Sequence, residues 1–231
     1  MLLEVSGLNA FYGDFQALFG IDFTVAESEV VALVGANGAG KTTFLRCLAG
    51  LIEEKRGRIS LAGADITRQP AEAISPAGLI LVPEGRLLFS SLTVEENLLM
   101  GGLNRRPGPW NLERVYRLFP LLRERRKQMP DTLSGGQQGF VAIGRALMSN
   151  PAVLLCDEIS LGLAPVAIEQ IYASFAGIRS EGTALVLVEQ DVQRATGAAD
   201  HVYCLLEGRV TLSGRTRDIA PEALAAAYFG T

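Results

Sequence analysis

The run Gly35-Ala36-Asn37-Gly38-Ala39-Gly40-Lys41-Thr42 has the spacing GxxxxGK[ST]. Its glycines let the backbone wrap closely enough for successive N–H groups to face phosphate oxygens. A helix starting at Lys41 would present its positive end to the same anion. Lys41 is then expected to bridge the β- and γ-phosphates of a nucleotide, and the Thr42 hydroxyl to ligate Mg²⁺. The plainer alternative is a glycine-rich structural turn. The flanking residues weigh against it, because Glu29–Val34 reads as a strand and Lys41–Leu48 as a helix, the setting such a loop needs.

A second constellation complements the first. Val153-Leu154-Leu155-Cys156 is an apolar run that reads as a buried strand, and it delivers Asp157 and Glu158 at its carboxyl end. Ligands of open parallel sheets sit at that edge. Asp157 can hold Mg²⁺ directly or through water, and Glu158 can polarise an attacking water as general base. Taken singly, such a carboxylate pair is an ordinary solvated strand end. A third run, Leu133-Ser134-Gly135-Gly136-Gln137, reads either as a serine-capped helix start or as another anion site at a helix N-terminus. One phosphate group rarely needs two such sites in one chain, so a dimer is expected in which each chain's second site closes over its partner's nucleotide.

The elements that must position these residues follow an α/β pattern. Strands are predicted at Glu29–Val34, Leu79–Val82, Ala152–Cys156, Ala184–Val188 and Val202–Leu206, alternating with helical stretches as in a largely parallel sheet. A hairpin is expected over Ala62–Asp65 between Arg58–Leu61 and Ile66, and another at Glu207-Gly208 leading to Val210–Leu212. Between Leu88 and Asn150 the character becomes helical. Thr93 with Glu96 marks a capped helix start, Leu112–Phe119 and Leu121–Lys127 read as helices, and Arg105–Pro109 reads as a loop. The basic run Arg123–Lys127 reads as a solvated helix face.

The 231 residues suffice for one sizeable domain, and 48% hydrophobic residues allow a buried core. No apolar run approaches the roughly 20 residues that cross a bilayer, and no secretory leader is visible, so a soluble protein is expected. A net charge of -4 argues against a nucleic-acid partner. The 3 cysteines, Cys47, Cys156 and Cys204, show no CxxC spacing and read as reduced structural thiols.

In order and spacing, Gly35–Thr42, Leu133–Gln137 and Asp157-Glu158 resemble the ATP-binding-cassette family over essentially the whole chain. The resemblance implies a P-loop NTPase core of mostly parallel sheet with helices, an N-terminal antiparallel β region and an inserted helical subdomain. It implies a single domain over 1–231, with an ATP-binding core at 1–88 and 151–231 and the helical subdomain at 89–150. It implies ATP hydrolysis with Mg²⁺ in a head-to-tail dimer. Tyr12 matches the aromatic that stacks on adenine, and Thr43 joins the loop in holding nucleotide. The segments Val82–Arg86, Leu92–Leu98, Ala142–Leu147, Ser160–Pro165 and Val188-Glu189-Gln190 are similar to one subgroup, the shorter ATP-binding subunit of bacterial branched-chain amino-acid importers. Urea and short-amide importers are similar as well. The implied partners are a second ATP-binding subunit, different from this chain in the transporter or a second copy of it when the chain is alone, two membrane-spanning permease subunits and, indirectly, a periplasmic binding protein. The implied location is the cytoplasmic face of the inner membrane.

The chain departs from the wider family at several places. Glu84 stands where glutamine is usual, as a further group able to approach Mg²⁺ or the attacking water. Gln190 stands at the switch histidine; it can donate to the γ-phosphate but cannot carry a proton near neutral pH. Gly162 replaces an aspartate and Ile159 a proline, and Gln138-Gly139-Phe140 is unusual after the signature. Glu84, Gln190 and Gly162 recur in the importer subgroup and imply that the two ATP sites of a heterodimer are unequal. The lone histidine, His201, is expected to be structural.

Overall fold

A computed structural model describes residues 1–104 and 106–230. Arg105, at the start of the expected Arg105–Pro109 loop, lies outside the described residues. In chain order the elements are β1 (Leu3–Tyr12), β2 (Phe15–Val25), β3 (Val30–Val34), α1 (Lys41–Leu48), β4 (Lys55–Leu61), β5 (Ala64–Asp65), α2 (Ala71–Ala77) and β6 (Leu79–Val82). Then come α3 (Val94–Gly101), α4 (Leu112–Leu118), α5 (Pro120–Glu124), α6 (Gly135–Met148), β7 (Val153–Asp157) and α7 (Pro165–Ser180). The chain closes with β8 (Ala184–Glu189), α8 (Val192–Ala198), β9 (His201–Leu206), β10 (Arg209–Arg215) and α9 (Pro221–Phe229).

The strands form two sheets. One is four-stranded and antiparallel in the order β2-β1-β4-β5, and the other is six-stranded in the order β10-β9-β3-β8-β7-β6. Within the second sheet β9, β3, β8, β7 and β6 run parallel, and β10 pairs antiparallel with β9. Every residue of β3, β7 and β8 is buried. Strands covered on both faces read as continuous apolar runs, which is why these three stand out in the sequence. The parallel order also brings the ends of β3, β7 and β8 to one edge.

The N-terminal antiparallel β region that the resemblance implies is present as β1 and β2, although the residue pattern before Glu29 marks no individual strand. The buried residues of β1 are Leu3, Val5, Leu8 and Ala10, and register shifts fall between Val5 and Leu8 and again before Ala10. Such bulges break the period-two alternation on which a strand reading depends.

One core fills the space between the antiparallel sheet, α1 and the six-stranded sheet, with Phe23 packed edge-on against Phe44 at 5.0 Å. On the other face of the parallel sheet a second core joins Ile80, Leu154 and Leu185 to residues of the helices, among them Val94, Leu98, Val115, Phe140 and Ile171. The Thr93/Glu96 capping box is present. The helix expected over Leu121–Lys127 is corrected to Pro120–Glu124, with Arg125–Lys127 in a turn. The cause is tertiary. The carbonyls of Arg126 and Gln128 accept from the Glu95 and Val94 N–H groups, donors in the first turn of α3 that have no partner within their own helix. The basic run is therefore not one helical face; Arg123 pairs with Glu113 and lies over the Tyr116 ring.

Asn97 on α3 holds the segment that precedes this helix. It is fully buried. Its amide donates to the carbonyls of Phe89 (3.0 Å), Leu92 (2.9 Å) and Thr93 (3.0 Å), and its carbonyl accepts from the Phe89 N–H (2.9 Å). Removing it leaves the Phe89 N–H and the Leu92 carbonyl without this partner, in a part-buried setting, and opens a cavity where the amide was. Asn97→Ala is expected to cost about 3 kcal/mol of unfolding free energy in chemical denaturation. A loss below about 1 kcal/mol would show that the 89–92 segment is held by other contacts.

Candidate nucleotide-binding site

The loop between β3 and α1 closes around its own lysine. Lys41 is 4% exposed, and its ammonium donates to the carbonyls of Gly35 (2.7 Å) and Ala36 (3.0 Å). Burial lowers its pKa, and the negative charges of Glu158 and Asp157 oppose that shift. Gly35 has a steric reason to be glycine, since a Cβ there would lie 2.3 Å from the carbonyl oxygen of Leu205 at the end of β9. The loop can lie this close to the sheet only without a side chain.

β7 delivers two carboxylates into different surroundings. Asp157 is buried and accepts a hydrogen bond from the Thr42 hydroxyl at 3.2 Å. Burial raises its pKa, and the Thr42 bond works against the rise. Glu158, one residue past the strand, has a left-handed backbone with φ 46, a conformation non-glycine residues adopt sparingly. Its N–H donates to the Val188 carbonyl on β8 at 3.0 Å. One carboxylate oxygen lies 3.8 Å from the Lys41 ammonium, and the other accepts from the Gln190 amide at 2.7 Å. Residues from the ends of β3, β7 and β8 thus meet at one point.

A cleft of about 1000 Å³ opens over this point. It brings together Tyr12, Asn37, Gly38, Gly40, Lys41, Thr42, Thr43, Glu84, Glu158 and Gln190. The Tyr12 hydroxyl lies 3.3 Å from the Thr43 hydroxyl. Gly35, Ala39 and Asp157 are buried behind the cleft wall. Ser134, Gly135, Gly136 and Gln137 do not line it. They form the first turn of α6, where the exposed Ser134 caps the helix: its hydroxyl accepts from the Gln137 N–H at 3.4 Å, and its N–H donates to the Gln137 side chain at 3.0 Å.

The donor set suits Mg²⁺. The Thr42 hydroxyl and the Asp157 carboxylate are hard oxygen ligands already side by side. Among the described residues no group of three His, Cys, Asp or Glu side chains forms a metal cage. Mg²⁺ keeps several waters and takes one or two protein oxygens beside phosphate oxygens, so the Thr42–Asp157 pair is the kind of protein contribution it needs.

Sequence reasoning missed part of the cleft. Phe15, Gln16 and Phe19 of β2 and Arg209 of β10 also line it, with Arg209 over the Phe19 ring at 4.7 Å. The sequence marks Glu207-Gly208 only as a turn. Its approach to β2, with the Phe19 N–H donating to the Gly208 carbonyl at 2.9 Å, depends on how the two sheets pack. Phe15, 69% exposed and three positions past Tyr12, was the one available signal.

A fold and cleft of this kind define a nucleotide-binding cassette, and comparison with known proteins agrees. The sequence profile described as ABC transporter matches residues 18–160. The chain is 43% identical over 213 residues, 91% of each protein, to the high-affinity branched-chain amino acid transport ATP-binding protein BraG of Pseudomonas aeruginosa. It is 33% identical over 221 residues, 94% of each, to a probable branched-chain amino acid transport ATP-binding protein, LivF, of Archaeoglobus fulgidus. The solved structure of an ATP-binding subunit of an ABC transporter superposes with a TM-score of 0.83 at 31% identity, covering 100% of this chain and 97% of that one. An ATP-binding cassette in its ADP conformation gives 0.83 at 26% identity, covering 100% and 99%. The chain belongs to the ABC transporter family, whose activity is ATP hydrolysis. The predicted fold class holds: an α/β cassette with an antiparallel sheet, a mostly parallel sheet and helices.

Asp157 carries a testable sign. Its folded pKa lies above the ordinary 3.8, so the folded chain binds this proton more tightly than the unfolded one. Its contribution to stability is complete below pH 3.8 and is lost as pH rises through the raised value. Asp157→Asn keeps an acceptor for Thr42 and removes the buried charge. Near neutral pH the melting temperature of this variant without nucleotide should match or exceed that of the natural chain, while the Mg²⁺-dependent part of ATP binding is lost. A lower melting temperature would show that the charge itself stabilises the fold.

Proposed function

We propose that this chain is the ATP-hydrolysing subunit of an ABC importer, and that the importer takes up branched-chain amino acids. The observation that carries the reading is the convergence of Lys41, Thr42, Asp157, Glu158 and Gln190 at the floor of one cleft. A urea, amide or other amino-acid importer would use the same cleft. The identities of 43% and 33% to proteins named for branched-chain amino acid transport favour the first solute class.

The residues divide the work. Lys41 uses two N–H groups on the loop carbonyls, which leaves its third for a β- or γ-phosphate oxygen. The loop N–H groups and the start of α1 face the same anion. Thr42 and Asp157, with Glu84 at the cleft wall, would hold Mg²⁺, which supplies neutralisation of the charge developing on the phosphate oxygens. Glu158 accepts the proton of the attacking water as that oxygen bonds to the γ-phosphorus. The bond from the γ-phosphorus to its bridging oxygen breaks, and ADP leaves with that electron pair. Gln190 orients Glu158 and offers an amide to the γ-phosphate. Tyr12, 45% exposed, provides a face for adenine.

Residues 1–88 and 151–231 make the ATP-binding core of this reading, and 89–150 the helical subdomain. Ser134–Gln137 start a 14-residue helix away from the chain's own cleft, which suits closure over the nucleotide of a second ATP-binding subunit. Leu87, Phe89, Leu99, Met100 and Leu103 are large exposed apolar side chains around α3 and its preceding segment, and we assign them to contact with the permease subunits. Among the described residues no helix is long and apolar enough to cross a membrane. Attachment at the cytoplasmic face of the inner membrane would therefore run through those permeases, with a periplasmic binding protein delivering the solute.

Two measurements test the reading. Glu158→Gln should lower ATP turnover by roughly 100-fold or more while leaving ATP binding intact, and Lys41→Ala should weaken binding as well. Turnover unchanged in Glu158→Gln would remove the general base from the proposal. Purification of the tagged chain from its native membranes should recover a second ATP-binding subunit and two permeases. Recovery of ribosomal or DNA-repair proteins instead would sink the importer assignment.

A further inference from the structure

Glu189 is the last residue of β8, is 3% exposed, and makes no ion pair among the described residues. Gln190, next in the chain, reaches into the cleft, whereas Glu189 points the other way, toward α7 and the loop that follows Glu158. There one carboxylate oxygen accepts a 2.6 Å hydrogen bond from the buried Ser160 hydroxyl. The other oxygen and the Tyr172 hydroxyl on α7 are both buried without a hydrogen-bond partner. The two influence each other's protonation, yet the geometry falls short of a bond between them. Burial pushes the Glu189 carboxyl above its ordinary pKa, opposed chiefly by the Ser160 bond. A buried acid without a cationic partner is costly to a fold, and hydrogen bonding or neutralisation only reduces that cost.

What Glu189 fixes is the turn at Glu158. That residue's φ of 46 is a sparsely populated conformation that persists only where the surroundings impose it. Its N–H is tied to the Val188 carbonyl, its carboxylate to Gln190, and the chain two residues on to Glu189. All three ties run to consecutive residues at the end of β8. The nearby Gly162, with φ 71 and open space around its absent Cβ, lets the loop turn away after this anchor.

We propose that Glu189 is a positioning residue for ATP hydrolysis: through Ser160 its buried carboxyl locks the turn at Glu158 and keeps that carboxylate aimed at the attacking water. The inference rests on the general-base role proposed above for Glu158. A shift of about 1 Å in such a group can cost about 100-fold in rate without altering substrate binding.

The test compares Glu189→Ala, Glu189→Gln, Ser160→Ala and the Glu189→Ala/Ser160→Ala double variant in the full chain assembled with its partner subunits. kcat and KM for ATP are measured together with affinity for a non-hydrolysable ATP analogue. Glu189→Ala and Ser160→Ala should each lower kcat roughly 10- to 100-fold, with KM and analogue affinity within about 2-fold. Glu189→Gln, whose amide oxygen can still accept from Ser160, should recover most of the rate. The double variant should be no slower than the slower single one, because both changes break one link. The proposal is overturned if Ser160→Ala leaves kcat unchanged, if kcat and analogue affinity fall together, or if the two losses multiply. Should Glu189→Ala not fold, Ser160→Ala alone decides by the same kcat criterion. A natural chain that binds ATP but does not hydrolyse it would instead refute the ATPase reading, before any variant is compared.

Discussion

The site depends on burying one ammonium group. Lys41 sits almost out of solvent at the start of α1, and a buried charge is tolerable only when hydrogen-bonded and compensated. The Gly35 and Ala36 carbonyls supply the bonds, and Glu158 and Asp157 supply opposing charge. Each then constrains something else. The carbonyls point inward only because the loop is tightly wound, and that winding requires Gly35 to approach β9 without a Cβ. The carboxylates arrive only because β7 runs parallel to β8, which in turn runs parallel to β3. Asp157, Glu158 and Glu84 bring more negative than positive charge to the cleft, so a triphosphate gains from arriving with a divalent cation. In the proposed reading the loop N–H groups and the helix terminus would serve the phosphates, and the carboxylates the metal and the water.

Much of this was legible in the sequence, for identifiable reasons. A loop that must wrap a phosphate leaves its glycines and lysine at fixed spacing, and buried parallel strands leave continuous apolar runs, so β3, β6, β7, β8 and β9 could be placed to within a residue or two. Local capping chemistry also speaks locally, as at Thr93 and Ser134. What stayed hidden depends on contacts distant in the chain. Bulges scramble the alternation in β1, the end of α5 is set by the N–H groups of α3, and Arg209 reaches the cleft only because β10 turns back over β2.

Some of the chain's unusual backbone lies at or next to the cleft. Glu158 and the consecutive pair Arg86 and Leu87 all have positive φ without being glycine. The pair follows Glu84 and is held by Arg145 of α6, whose guanidinium donates to the Arg86 carbonyl at 2.9 Å and the Leu87 carbonyl at 2.8 Å. Two strained turns, one carrying Glu84 and one carrying Glu158, are thus fixed from outside the cleft by α6 and β8. Local rules are expected to fail where geometry serves a site rather than the fold. Gly162 fits the same logic from the other side. Its left-handed φ of 71 is one that glycine adopts freely, and aspartate more readily than most residues, so glycine at a position where the wider family carries aspartate preserves the turn while giving up a side chain.

The position of Gln190 shapes how such a site responds to its surroundings. An imidazole there would titrate near neutral pH and could take a proton from the reacting water. The amide cannot. It donates to one Glu158 oxygen at 2.7 Å and leaves the other, 3.8 Å from the Lys41 ammonium, without a hydrogen-bond donor among the described residues. The chain's single histidine, His201, stands at the far end of the parallel sheet, stacked on Tyr203 at 4.9 Å and held below its ordinary pKa by burial. In the proposed mechanism, proton transfer at the cleft is therefore assigned to Glu158 and not to position 190. On the proposed reading position 190 works through geometry, by holding Glu158 through its 2.7 Å hydrogen bond, rather than through charge, and the precision of the β8 end becomes the quantity that matters.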